Sequence, residues 1–164
     1  MTPDIKISNI QIGISQPNRE AVSEELGKLL ANEYVLYTQT RNAHWNVTGP
    51  DFVDKHKFFE EQYTQLDEII DNVAERIRSL GQPTPASLKK FIELSDLVED
   101  QEADTTSVTF ISELLAGHEQ IIQSLRENII RFAEDYSDLG TSDFITGLME
   151  EHEKMAWFLR AHLS

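Results

Sequence analysis

The chain has 164 residues, 40% of them hydrophobic and 26% charged, which suits one domain with a real core. Its 29 acidic residues outnumber 14 basic ones, for a formal net charge of −15 with no Lys/Arg cluster on any segment, a balance that opposes nucleic-acid binding. Cysteine is absent, which excludes disulfides, thiolate metal sites and thiol peroxidase chemistry; any metal must take nitrogen and oxygen ligands, a set that favours iron, manganese or zinc.

Residues 1–17 read as a tail without basic character, carrying Lys6 but also Asp4, and a single domain is expected over residues 18–164. Val22, Leu26, Leu29, Leu30, Leu36 and Tyr37 form a stripe at helical spacing, so a first helix is predicted, with Asn18 as a candidate N-cap and an end near Trp45. The turn residues Asn46 to Pro50 follow. A second helix carries Phe59, Leu66, Ile70, Val73, Ile77 and Leu80 and is stopped by Gly81, which makes the first two helices a hairpin.

From Gly81 to about Thr105 the chain holds Pro83, Pro85, the helical-looking piece SLKKFIEL and an acidic stretch, read together as a long crossover with one small helix. A third helix is marked by Ile111, Leu114, Leu115, Ile121, Ile122, Leu125, Ile129 and Phe132. A fourth, expected to be capped near Thr141 or Ser142, carries Ile145, Leu148, Met155, Phe158 and Leu159. The fold expected is therefore all-α: a ferritin-like four-helix bundle with a short extra helix in the long crossover between the second and third helices. No apolar run is long enough to span a membrane and the first thirty residues show no basic-then-apolar leader, so a cytoplasmic location is expected.

The chemistry gathers on the first hairpin and the second helix. His44 closes the first helix and His56 opens the second, so a hairpin brings two imidazoles to one mouth. Asp71 and Glu75 stand at i and i+4, one above the other on a helix face, where two carboxylates can share or bridge metal ions; Asp67 extends the row. At 1.5 Å per residue, His56 and Asp71 lie about 22 Å apart. If both pairs bind one iron, the carboxylates must come from a second chain packed antiparallel on the first. An intrachain di-iron centre of the Glu-x-x-His kind is absent, because the residues three before the five histidines are Arg41, Val53, Leu115, Met149 and Leu159. His118 and His152 fall on or near apolar stripes and are expected to be buried and hydrogen-bonded rather than metal ligands.

The stretch HWNVTGPDFVDKHKFFEEQYTQLDEIIDNVAERIRSLG, residues 44–81, resembles the signature of the Dps family of mini-ferritins, with His44-Trp45, His56, and Asp71 and Glu75 in an Ala-Glu-Arg context falling on the family's motif positions. The similarity extends from about residue 18 to 163, including the terminal HEKMAWFLRAHL. The resemblance implies a hollow shell of twelve identical subunits that oxidises Fe(II), preferentially with hydrogen peroxide, at sites shared across two-fold interfaces, and stores the ferric mineral as protection against oxidative stress. It assigns His44, His56, Asp71 and Glu75 as iron ligands and catalytic residues, and Glu60, where many members carry aspartate, as a further ligand. Lys57 stands where some members have an acidic residue linked to mineral nucleation, with Glu61 beside it. Asp138 and Asp143 resemble positions lining acidic three-fold pores. The competing reading is a nucleoid DNA-compacting protein with secondary iron binding, which the family builds on Lys/Arg-rich tails that this chain lacks.

Overall fold

A computed structural model describes residues 10–99 and 104–164, so residues 1–9 of the expected tail and part of the acidic crossover stretch lie outside the described residues. Five helices follow one another: α1 (Gln16–Asn46), α2 (Phe52–Ser79), α3 (Leu88–Leu94), α4 (Ser107–Glu134) and α5 (Leu139–Ala161). They form the all-α bundle expected, with α3 as the small crossover helix. α1 packs chiefly on α2 and α4 on α5, and α1 also meets α3 and α4.

The helix starts differ from the sequence reading for a local reason. Ser15, not Asn18, caps α1: its side chain accepts from the Asn18 N–H, and Pro17, which has no N–H to lose, sits in the first turn. Asn18 instead donates its amide to the Tyr136 carbonyl 2.9 Å away, tying α1 to the end of α4. At α5 the cap is Asp138 rather than Thr141 or Ser142. Its carboxylate accepts from the Thr141 N–H at 2.9 Å and the Thr141 hydroxyl at 2.5 Å, so Thr141 is the capped residue rather than the cap.

The path of the crossover is dictated by one contact. Thr48, just past α1, accepts no helix but pairs with the start of α4: its N–H donates to the Thr105 carbonyl at 3.0 Å and the two threonine hydroxyls lie 2.7 Å apart. α4 thus begins beside the α1–α2 hairpin, where α2 also begins, so the two helices run parallel and the connection must travel the bundle's length. Along that path Phe91 of α3 stacks on Tyr34 at 4.5 Å, and buried Asn32 accepts from the Ser95 hydroxyl and the Asp96 N–H, both at 2.8 Å.

The core is a continuous apolar seam in which Leu26, Leu30, Leu36, Phe59, Leu66, Ile69, Ile77, Ile111, Leu114, Ile121 and Phe132 are almost wholly buried. α4 approaches α1 closely at Gly117, where an added Cβ would stand 2.9 Å from Leu36 Cδ1, too near for a methyl group. At the end of α2, Gly81 takes φ +90°, the left-handed conformation that lets the chain leave the helix at low cost. None of the described helices is long and apolar enough to cross a membrane.

Two expected pore residues part company here. Asp143 is exposed, but Asp138 is only 1% exposed, and its carboxylate is engaged by Thr141 and by an ion pair with Arg76 at 3.5 Å. A carboxylate committed to capping and pairing inside its own chain cannot also present itself to a channel. Asp138→Ala is expected to lower stability by about 2 kcal/mol through the lost cap and the lost ion pair with Arg76, read as an earlier urea midpoint, whereas Asp143→Asn leaves that midpoint in place.

Candidate metal centre

The last turn of α1 and the first turns of α2 hold the histidine pair, and the loop between them is pinned from three sides. Val47 is buried and donates its N–H to the Ala43 carbonyl; Gly49 takes φ +128°; and the Ser107 hydroxyl donates to Asp51 Oδ2 at 2.6 Å. That hydroxyl is the main reason the Asp51 carboxyl titrates below the ordinary carboxylate range, with burial opposing it and Lys55 adding a smaller pull.

Across this pinned hairpin the imidazoles bind each other's backbone. His44 Nδ1 lies 2.7 Å from the His56 carbonyl oxygen and His56 Nδ1 lies 2.7 Å from the His44 carbonyl oxygen. A carbonyl only accepts, so in both rings Nδ1 is the donor and the neutral imidazole keeps its lone pair on Nε2. The rings stack with centroids 3.8 Å apart and an interplanar angle of 21°. Both Nε2 lone pairs are thereby left to the stacked pair, with the carbonyls as the partners that fix ring orientation, as outer partners do for metal-binding histidines.

Two neighbours that the sequence reading did not single out complete this end. Tyr63 sets its ring edge-on to His44 at 5.2 Å, and the Arg41 guanidinium lies over the rings of Tyr63 at 4.3 Å and Trp45 at 4.8 Å. The spacing held a partial signal, since Arg41 and Trp45 are i,i+4 neighbours on α1 and Tyr63 lies two turns beyond His56 on α2. Trp45, Phe52 and Val53 at the same mouth are 62%, 42% and 59% exposed, an apolar rim beside the imidazoles.

Asp71 and Glu75 occupy the far half of the uninterrupted α2, both exposed, and no side-chain hydrogen bond or ion pair engages them among the described residues. Glu60, one turn after His56, is exposed on the histidine side, with Lys57 and Glu61 beside it. The turn that carries Glu75 is anchored by its neighbour: Arg76 donates to the Thr141 hydroxyl through Nε at 3.0 Å and Nη2 at 2.8 Å. The chain brings His44 and His56 together and keeps Asp71 and Glu75 together, but not the two pairs. Among the described residues no three His, Asp or Glu side chains converge as a metal-holding group within one chain. His118 and His152 are buried and hydrogen-bonded to each other, as expected.

Comparison with known proteins reads this arrangement. A family model for the ferritin-like domain matches residues 23–164. The DNA protection during starvation protein 2 of Bacillus anthracis is 36% identical over 143 residues, covering 87% of this chain and 97% of its own length. The chain belongs to the Dps family of mini-ferritins. Another relative, an uncharacterised low temperature-induced protein of Nostoc sp., is 40% identical over 154 residues, spanning 94% of this chain and 86% of that protein. Among solved structures, a Dps protein from Vibrio cholerae O1, described as a member of a broad superfamily of ferritin-like diiron-carboxylate proteins, superposes with a TM-score of 0.89 at 30% identity, over 94% of this chain and 96% of that one.

For this Dps-family chain the reciprocal histidine clamp makes a spectroscopic prediction. Solid-state ¹⁵N spectra of histidine-labelled, metal-free protein should contain imidazole signals with the proton on Nδ1, and these should lose intensity in the double variant His44→Gln/His56→Gln, leaving the contributions of His162, whose Nδ1 lies 2.7 Å from the Phe158 carbonyl oxygen, and of the buried His118–His152 pair. Signals of the Nε2–H tautomer alone would contradict the clamp.

Proposed function

We propose that the protein is a ferroxidase and iron-storage mini-ferritin whose iron sites are built by two copies of the chain, His44 and His56 from one and Asp71 and Glu75 from the other. The observation that carries this reading is the reciprocal clamp, which commits both Nδ1 atoms and leaves two imidazole Nε2 lone pairs behind an exposed apolar rim, combined with a free carboxylate pair about 22 Å from His56 on the same rigid helix. One chain cannot close that distance, whereas a two-fold antiparallel partner can. The apolar rim of Trp45, Phe52 and Val53 around the mouth supports its being covered by another copy.

Fe(II) is the substrate. Imidazole nitrogen suits Fe(II), while the hard Fe(III) product is stabilised by carboxylate oxygen, so a mixed site favours oxidation of the ion it has bound. In the peroxide reaction one hydrogen peroxide takes one electron from each of two ferrous ions together with two protons and leaves as two waters, and hydrolysis of the two ferric ions to the mineral releases more protons than that step consumes. Consuming iron and peroxide together withholds both ingredients of hydroxyl-radical chemistry. Glu60, exposed one turn after His56, would hold a second, weaker iron, its longer side chain standing in for the aspartate common in the family. The acidic run on the exposed face of α2, including Glu60, Glu61, Asp67 and Glu68, favours cation approach. A closed twelve-copy shell and a cytoplasmic location complete the proposal.

Anaerobic loading with Fe(II) followed by hydrogen peroxide tests the chemistry. Ferric absorbance should rise rapidly with soluble product in the wild type, and at a rate lower by at least about tenfold in Asp71→Ala/Glu75→Ala, consistent with the cost of losing metal ligands or their partners. A wild type no faster than a protein-free control would remove the ferroxidase reading.

The DNA-compacting alternative finds its support only in the names of relatives, and the charge of −15 opposes it. Plasmid DNA should therefore migrate unshifted in a gel at moderate salt; a retarded band that salt releases would favour the alternative.

A further inference from the structure

A second polar cluster lies in the middle of the bundle, away from the iron site. Glu33 of α1, His118 of α4 and His152 of α5 are 0%, 1% and 0% exposed. Glu33 Oε1 stands 2.8 Å from His152 Nε2, and His152 Nδ1 stands 2.9 Å from His118 Nδ1. The three groups lie in a row rather than around a point, with His152 between the others, and the second carboxylate oxygen, Oε2, has no partner. A buried carboxylate half unsatisfied in an apolar seam is costly unless its charge is cancelled.

Counting protons shows how it is cancelled. Each short contact needs one proton. With two protons in all the row carries a lone negative charge; a third makes it neutral, with His152 donating from Nδ1 to His118, a proton between His152 and Glu33, and the remaining N–H on His118 Nε2. A fourth proton has no good place. On His118 Nδ1 it would set two N–H groups against each other across 2.9 Å, and on the orphaned Glu33 oxygen it would leave an uncompensated imidazolium in the core.

We propose that Glu33, His152 and His118 form an acid-sensitive latch across α1, α5 and α4, electroneutral with three protons and broken by a fourth, so that acid loosens the bundle from within. Nothing else in the core can absorb that charge. The remaining buried titratable groups among the described residues are Arg19, which donates to the Leu80 carbonyl, His44 in the hairpin clamp and Asp138, paired with Arg76. α2 turns Phe59, Gln62, Leu66, Ile69, Val73 and Ile77 inward, and α3 buries only Phe91, so neither brings a charge. The His118 imidazole accordingly titrates well below the ordinary histidine range, chiefly because it is buried and then because of His152.

The sign follows. Below the ordinary histidine pKa of about 6.5 the unfolded chain binds a proton at residue 118 that the folded chain refuses, so stability falls as pH falls until the depressed folded value is reached. One proton of difference changes the unfolding constant by up to about tenfold per pH unit.

The test compares the full-length assembled protein with His118→Gln, which can still hydrogen-bond His152 but does not titrate. Urea unfolding followed by near-ultraviolet circular dichroism should show the wild-type unfolding constant rising about tenfold more than that of the variant between about pH 6 and about pH 5. Parallel pH profiles would overturn the latch. Should the variant not fold, imidazole C2-hydrogen exchange read by mass spectrometry on the wild type decides: the latch requires a His118 midpoint well below that of a histidine peptide, and a midpoint equal to the peptide's overturns it.

Discussion

Two imidazoles that each give their Nδ1 proton to the other's backbone carbonyl are the interaction on which the candidate centre depends. A histidine at a helix end is ordinarily free to rotate and to choose its tautomer. Here the crossed bonds between His44 and His56 remove both freedoms, and the stacked rings leave their Nε2 lone pairs neighbouring. The clamp works only because the hairpin is short and held: Thr48 on Thr105, Asp51 on Ser107 and the buried Val47 fix where α1 stops and α2 begins. For the metal site proposed, the donor atoms would be positioned before any ion arrives, which is how a binding site avoids losing affinity to reorganisation.

From that end the helix α2 acts as a ruler. It is 28 residues long and unbroken, so the carboxylate pair near its other end is held at a fixed distance no side chain can span. Arg76 fastens that far end to Thr141 and Asp138 at the start of α5. Under the proposed function, the rigidity that separates the two pairs within a chain would also make their meeting between chains well defined, since two antiparallel rulers of equal length bring each pair against its complement.

Helices, hairpin and crossover were legible because their signals are periodic or local: apolar stripes at helical spacing, the NVTGP turn, the prolines and Gly81. The His44/His56 and Asp71/Glu75 spacings were legible for the same reason, and the distance argument needed only the rise of a helix. The helix starts were less so. Asn18 and Thr141 are good capping residues by type, but capping depends on which side chain reaches the first free N–H groups, and Ser15 and Asp138 do. The burial of Asp138 depends on Arg76, 62 residues away in sequence, and no local pattern encodes that. Glu33 was hidden more completely: a lone glutamate in a helix reads as a surface residue, and only the packing of α1 against α4 and α5 sets it beside His152, 119 residues distant.

The central claim, a site completed by a second copy, is tested most directly by co-assembling two disabled chains, His44→Ala/His56→Ala and Asp71→Ala/Glu75→Ala. Each alone lacks one half of every site. Mixed by unfolding and refolding together, they should regain a fraction of wild-type Fe(II) oxidation, because interfaces between unlike chains place intact histidines opposite intact carboxylates. Activity in the mixture no greater than the sum of the two parents, with mixed assemblies verified by mass, would contradict the shared site.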